Sequence, residues 1–127
     1  MIAILPAPPH LAAFRFDGLL SGEDFDVCVG EVERRLATQP RINLFCDMTR
    51  HGGITLDALA KDMRYAFGHF GELGRYARCA IVTDRPWIAA IAGVEDAMLS
   101  HTEMRCFAPA QREAAMAWAR EVPSGPR

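Results

Sequence analysis

The chain is poor in lysine, in serine and in closely spaced cysteine, and each shortage removes a class of function. Lys61 is the lone lysine among fourteen basic residues, and sixteen acidic residues bring the net charge to −2. A general nucleic-acid binder carries a clear basic excess, so no nucleic-acid partner is expected. The only serines are Ser21, Ser100 and Ser124, and none stands in a Gly-x-Ser-x-Gly nucleophile elbow. The cysteines Cys28, Cys46, Cys79 and Cys106 form no Cys-x-x-Cys and no pair at metal-ligand spacing. They read as buried, reduced thiols behaving as small hydrophobes, three of them inside predicted strands. Neither a metal nor a cofactor is expected. No window of 18 consecutive apolar residues occurs, so no integral membrane association is expected. The first residues lack the basic flank and long apolar stretch of a signal peptide, and the expected compartment is the cytoplasm.

What is present points to one α/β domain. Half of the 127 residues are apolar and about a quarter charged, and a chain of this length buries about two thirds of its unfolded surface. The domain is expected over residues 1–122, with 123–127 a polar, frayed tail. Two stretches read alike, Arg41–Met48 (RINLFCDM) and Arg78–Asp84 (RCAIVTD). Each is a short apolar run that meets an aspartate and leads into a helical pattern. Strands apolar on both faces belong inside a parallel sheet covered by helices.

The remaining elements follow from local pattern. Ile2–Leu5 is a short strand, and prolines 6, 8 and 9 mark a turn because they cannot donate to a ladder. Leu11–Asp17 alternates, with Ala12, Phe14 and Phe16 on one face, which predicts a half-exposed strand in an edge hairpin with the first, ended by Gly18. Ser21 caps a helix and pairs with Asp24 in a capping-box pattern. Phe25, Cys28, Val29, Val32 and Leu36 form its buried stripe, and Pro40 prevents continuation. After the strand Arg41–Met48, Thr49–Ile54 reads as a loop and Thr55 as the cap of a second helix with Leu56, Leu59, Met63, Phe67 and Phe70 on its buried side. Asp84 is placed to cap a third helix, Pro86–Leu99, with Pro86 in its first turn. Glu95 and Asp96 are the only charges in that helix, and Trp87, Ile88, Ile91, Val94 and Met98 spread around its cylinder. Such a helix is buried on more than one side, either between neighbouring elements or in a homodimer seam. Met104–Ala108 and Ala110–Glu121 close the chain as strand and helix. The order ββαβαβαβα gives a mixed, mostly parallel sheet with an antiparallel N-terminal hairpin and helices packed on it.

No catalytic constellation emerges. His51-Gly52-Gly53 is neither a phosphate loop nor a dinucleotide fingerprint. Asp47 and Asp84 end parallel strands, at the sheet edge where ligand crevices of open α/β sheets form. With His51 they are the one acid/base grouping available, although capping and loop bracing account for both carboxylates.

The run INLFCDM, then GITLDALAKDMRYAFGHF, then RCAIVTDRPWIAAI resembles the SpoIIAA-like group, small bacterial relatives of the STAS domain that share architecture with CRAL-TRIO lipid-binding domains. The likeness covers Ile2 to Arg120, and its most specific pieces are Thr83–Ile88 and the helix start Thr55–Asp62. The resemblance implies a non-enzymatic regulatory module that binds protein partners, in the best-known members switched by phosphorylation of a helix-start serine. Here the corresponding region, Asp47 to Thr55, holds no serine, and Thr55 is the nearest hydroxyl at a helix start. Asp47, Thr55 and Asp84 thus form the candidate phospho- or ligand site, and Trp87, Ile88, Ile91, Val94 and Met98 the candidate partner or dimer surface. Three readings compete: a regulatory module, homodimeric and binding a second regulatory protein; a carrier of a small apolar or lipid ligand in a cavity lined by Phe67, Phe70, Trp87 and Ile91; and an enzyme using Asp47, Asp84 and His51.

Overall fold

The computed structural model describes residues 1–54, 61, 75–84 and 102–123. Among these residues five strands form one sheet in the spatial order of the chain: β1 (Ile2–Ile4), β2 (Leu11–Leu20), β3 (Ile42–Ile54), β4 (Tyr76–Val82) and β5 (Glu103–Phe107). β1 runs antiparallel to β2, and every other neighbouring pair is parallel. The mixed sheet with an antiparallel opening hairpin is the architecture the sequence predicts. Two helices are described, α1 (Gly22–Leu36) and α2 (Arg112–Arg120), the second preceded by a 3-10 turn at Pro109–Gln111.

α1 begins where the chain's chemistry says it should. The Asp24 amide donates to the Ser21 hydroxyl at 3.2 Å, and the Ser21 amide donates back to the Asp24 carboxylate at 3.0 Å. This reciprocal pair satisfies two amides that have no helical partner. The Ser21 hydrogen bonds, the backbone one foremost, hold the Asp24 carboxyl below its ordinary range. At the other end Arg34 and Arg35 lie in the last turn, where cations complement the helix dipole. Both also pair with Glu31, whose carboxylate is buried.

Alternation along the strands divides the core into two layers. Ala12, Phe14, Phe16 and Ile42 pack with Val32 and Leu36 of α1 on one face of the sheet. Leu11, Ala13, Phe45, Ala80 and Val82 pack with Ala115 and Ala119 of α2 on the other. Small residues on α2 let that helix approach the sheet closely.

Two expectations are corrected. β2 is not a half-exposed edge strand stopping at Asp17. Leu11 to Phe14 are buried on both faces, and the strand forms a parallel ladder with β3. The Leu11 and Ala13 face is covered by α2, which arrives from the far end of the chain and leaves no trace in the local pattern. Thr49–Ile54 is not a loop either. β3 continues through it, with Asp17 opposite Arg50 and Leu20 opposite Ile54. Gly18 does not end β2 but adopts φ +64° within it, beside a register irregularity. A Cβ on Gly52 would stand 3.1 Å from the Gly18 carbonyl carbon, so glycine at position 52 lets the two backbones meet where a side chain would hold them apart.

The predicted helices starting at Thr55 and at Pro86, and the tail 124–127, lie outside the described residues apart from Lys61, which pairs with Asp26 of α1 at 2.7 Å.

Candidate functional site: the strand-end carboxylate

Asp47 sits where β3 passes the end of β4, with Val82 as its register partner. Its parity with Asn43 and Phe45 directs the side chain to the face that α2 covers. The residue is 4% exposed, and an isolated carboxylate so buried would be costly. Three donors satisfy it. The Thr49 hydroxyl donates to Oδ1 at 2.7 Å, the Thr49 amide donates to the same oxygen at 3.1 Å, and Arg112 Nε donates to Oδ2 at 2.9 Å. The Arg112 guanidinium also lies 5.5 Å from the centre of the Phe45 ring. Burial is the largest single influence on the Asp47 carboxyl and pushes its pKa up. The hydrogen bonds from Thr49 and Arg112, with the Arg112 charge, outweigh it and leave the group below its ordinary value.

That arrangement decides what Asp47 does chemically. A carboxylate with lowered proton affinity and three donors in place is poorly matched to general acid or base work near neutral pH. It is well suited to fastening α2 to the sheet through the first residue of the helix. Asn43 performs the complementary task at the other end, donating Nδ2–H to the carbonyls of Ala119 at 2.8 Å and Glu121 at 2.7 Å. Arg78 donates to the Trp118 carbonyl at 2.9 Å and pairs with Glu121. Arg78 and Arg105 each place a guanidinium 4.8 Å from the Trp118 ring centre.

The other predicted site residues are placed as follows. Asp84 is exposed, two residues beyond the end of β4, whereas Asp47 is buried. Thr83, between the end of β4 and Asp84, donates its amide to the Phe107 carbonyl at 3.0 Å, extending the β4–β5 pairing. His51 lies in β3 with Gly18 as its backbone partner. Thr55 and the apolar set Trp87, Ile88, Ile91, Val94 and Met98 lie outside the described residues, as do Phe67 and Phe70. Among the described residues no three His, Cys, Asp or Glu side chains are grouped to hold a metal ion. The strand order contains no reversal, so the described sheet lacks the switch point at which crevices form in doubly wound sheets.

Two features escaped sequence reasoning. Arg112 is 65 residues from Asp47, and only the general demand of a buried acid for a cation pointed to such a partner. The cysteines, scattered in sequence, converge in space. Cys46 and Cys106 both lie level with Ile81, and Cys79 two residues before it on the same sheet face, and the neighbouring Cys79 thiol first, then burial, push the Cys46 pKa well above its ordinary value. Burial, with Cys79 second, raises that of Cys106. The expectation of uniformly buried thiols is also corrected: Cys79 is buried, Cys28 and Cys46 are half-buried, and Cys106 is exposed on β5.

One sheet of sequentially ordered strands, antiparallel only at its opening hairpin and carrying a helix on each face, defines a STAS-like α/β domain. The chain belongs to the SpoIIAA-like family, whose model matches residues 11–120. A solved neighbour is an uncharacterised protein of the DUF3478 family from Shewanella loihica, described as having a SpoIIAA-like fold. It aligns over 94% of this chain and 92% of its own, with a TM-score of 0.71 and 24% identity. At that identity the likeness concerns the fold. A search of curated proteins returns no match. No helix among the described residues is long and apolar enough to cross a membrane.

Proposed function

We propose that this protein is a non-enzymatic, STAS-like regulatory module of the cytoplasm that works by binding protein partners and pairs with a second copy of itself. The observation that carries this reading is the state of Asp47. The best-placed acid of the sheet's carboxyl edge is ionised, held by three hydrogen bonds and committed to anchoring α2. Membership of the SpoIIAA-like family supports the same reading. The dimer seam is assigned to Trp87, Ile88, Ile91, Val94 and Met98, because a stretch whose only charges are Glu95 and Asp96 has more apolar surface than one core face uses.

Light scattering on the wild type and on Ile91→Glu tests the seam. A dimer that becomes a folded monomer in the variant, with unchanged far-ultraviolet circular dichroism, is the expected result. A variant that keeps the wild-type dimer mass removes the seam from consideration.

A further inference from the structure

At the carboxyl end of β2 and β3, charged side chains gather on the sheet face that α2 covers. Arg15 shares the parity of Leu11 and Ala13, which pack against α2, and its register partner is Asp47. Asp17, two residues on, has Arg50 as its partner. Arg112, the first residue of α2, reaches the same place from the helix. Two carboxylates tie the group together. Arg112 Nε donates to Asp47 Oδ2 at 2.9 Å, and Arg15 Nε donates to Asp17 Oδ2 at 3.1 Å. Arg50 Nη1 stands 3.7 Å from Asp17 Oδ1, beyond hydrogen-bonding distance.

These charges are layered. The acidic side chains lie deeper, 6% exposed for Asp47 and 25% for Asp17, and the cations lie above them, 38% exposed for Arg15, 43% for Arg112 and 70% for Arg50. A solute approaching this end of the sheet meets guanidinium before carboxylate. Each guanidinium carries five donors in a rigid fork. Arg15 and Arg112 commit Nε to an acid, and their terminal nitrogens have no acceptor among the described residues. Pinning Nε fixes the direction of the fork in advance, which lowers the ordering cost of receiving an anion. The N-terminal end of α2, which starts at Arg112, adds partial positive charge.

We propose that Arg15, Arg50 and Arg112 form a receptor for the phosphoryl group of a phosphomonoester, borne by a small molecule or by a phosphorylated side chain. Guanidinium forks match phosphate oxygens in pairs. A phosphomonoester brings nearly two negative charges and three acceptor oxygens at neutral pH, enough to engage three guanidinium groups. A carboxylate brings one charge and two oxygens, and serves them less completely. Asp17 and Asp47 act as positioning residues that hold Arg15 and Arg112 in place from below. The net charge of −2 gives the chain no general attraction for anions, so binding rests on this local cluster. The site stands independently of the protein-binding reading above.

Nuclear magnetic resonance of the nitrogen-15-labelled full chain tests the site, with backbone amide and arginine Nε–H signals followed at constant ionic strength. The probes are inorganic phosphate, an acetylated alanine–phosphoserine–alanine peptide, and acetate. The signals of Arg15, Arg50 and Arg112 should move together and saturate with a Kd of about 1 mM for the phosphate probes, and acetate should bind at least about tenfold more weakly. Affinity should fall below about pH 6, where the phosphomonoester loses its second charge while arginine keeps its own. Arg15→Gln and Arg50→Gln should each weaken binding by about 5-fold, the upper value for an exposed ion pair. Arg105→Gln, at a 54% exposed side chain on the same sheet face but on β5, should bind as the wild type does. Tighter binding of the peptide than of inorganic phosphate assigns the group to a phosphorylated side chain, and the opposite order or equality assigns it to a small phosphate. Acetate binding as tightly as phosphate, or an equal loss in Arg105→Gln, overturns the proposal. So do unmoved wild-type signals at tenfold the expected Kd, a result that needs no variant to fold and leaves the dimer seam untouched.

Discussion

Replacing Arg112 by alanine tests how α2 is fastened to the sheet. The substitution removes the 2.9 Å hydrogen bond from Nε to Asp47 and the cation beside the Phe45 ring. Two limits frame the cost. An exposed ion pair contributes about 0–1 kcal/mol, and stranding one partner of a fully buried pair costs about 3–5 kcal/mol. This pair lies between them, because the Asp47 side chain is 6% exposed and that of Arg112 is 43% exposed. Asp47 also keeps both bonds from Thr49 in the variant. A hydrogen bond to a charged group contributes about 1.5–3 kcal/mol, so the expected loss is about 2 kcal/mol. For 127 residues an unfolding entropy of about 2.1 cal/mol/K per residue turns that loss into a fall in Tm of about 7 °C. In urea, with a slope of about 1–3 kcal/mol per molar, the midpoint should fall by about 0.7–2 M. The pH dependence gives a second check. The Asp47 pKa is lowered in the folded protein, so the stability it contributes is present above the unfolded value of about 3.9 and is lost as pH falls through the folded value. The gap between wild type and Arg112→Ala should therefore narrow below about pH 4. A loss under about 0.5 kcal/mol at neutral pH, or a coupling near zero in a double-mutant cycle with Asp47→Ala, would refute the fastening.

Other substitutions separate backbone from side-chain effects. Gly30→Ala in α1, where a Cβ meets nothing within 4 Å, should stabilise by about 0.5–1 kcal/mol. Gly52→Ala, whose Cβ would press on Gly18 backbone at 3.1 Å, should destabilise by about 1–3 kcal/mol. Urea midpoints that reverse this order would show that the two strands do not meet at these glycines. Asn43→Leu deprives the Ala119 and Glu121 carbonyls of their donor and should cost about 2 kcal/mol, with faster amide exchange in α2. Unchanged exchange there would mean that Asn43 does not hold the helix end.

The elements with local signals were readable in the sequence, and those determined by distant partners were not. The Ser21–Asp24 capping box, the hydrophobic β4 and the closing helix α2 each rest on residues within a turn or two of one another, and each appears within about two residues of where the pattern puts it. The extension of β3 through Arg50 to Ile54 has no alternation to announce it. It exists because β2 also continues past Gly18 and supplies ladder partners. Burial of Ala13 depends on Ala115 and Ala119, about a hundred residues downstream. At the site, Asp47 stood out as a strand-end acid, but its partner Arg112 is a tertiary choice. The placement of Cys46, Cys79 and Cys106 on one sheet face is likewise a product of register, which sequence spacing does not encode.

Native mass spectrometry of the freshly purified full chain bears most directly on the function proposed for this protein, since one spectrum reports both assembly and cargo. The expected species has twice the 14.0 kDa chain mass and carries no organic adduct. A 14.0 kDa monomer bearing a small apolar molecule would contradict the regulatory module and make the protein a carrier.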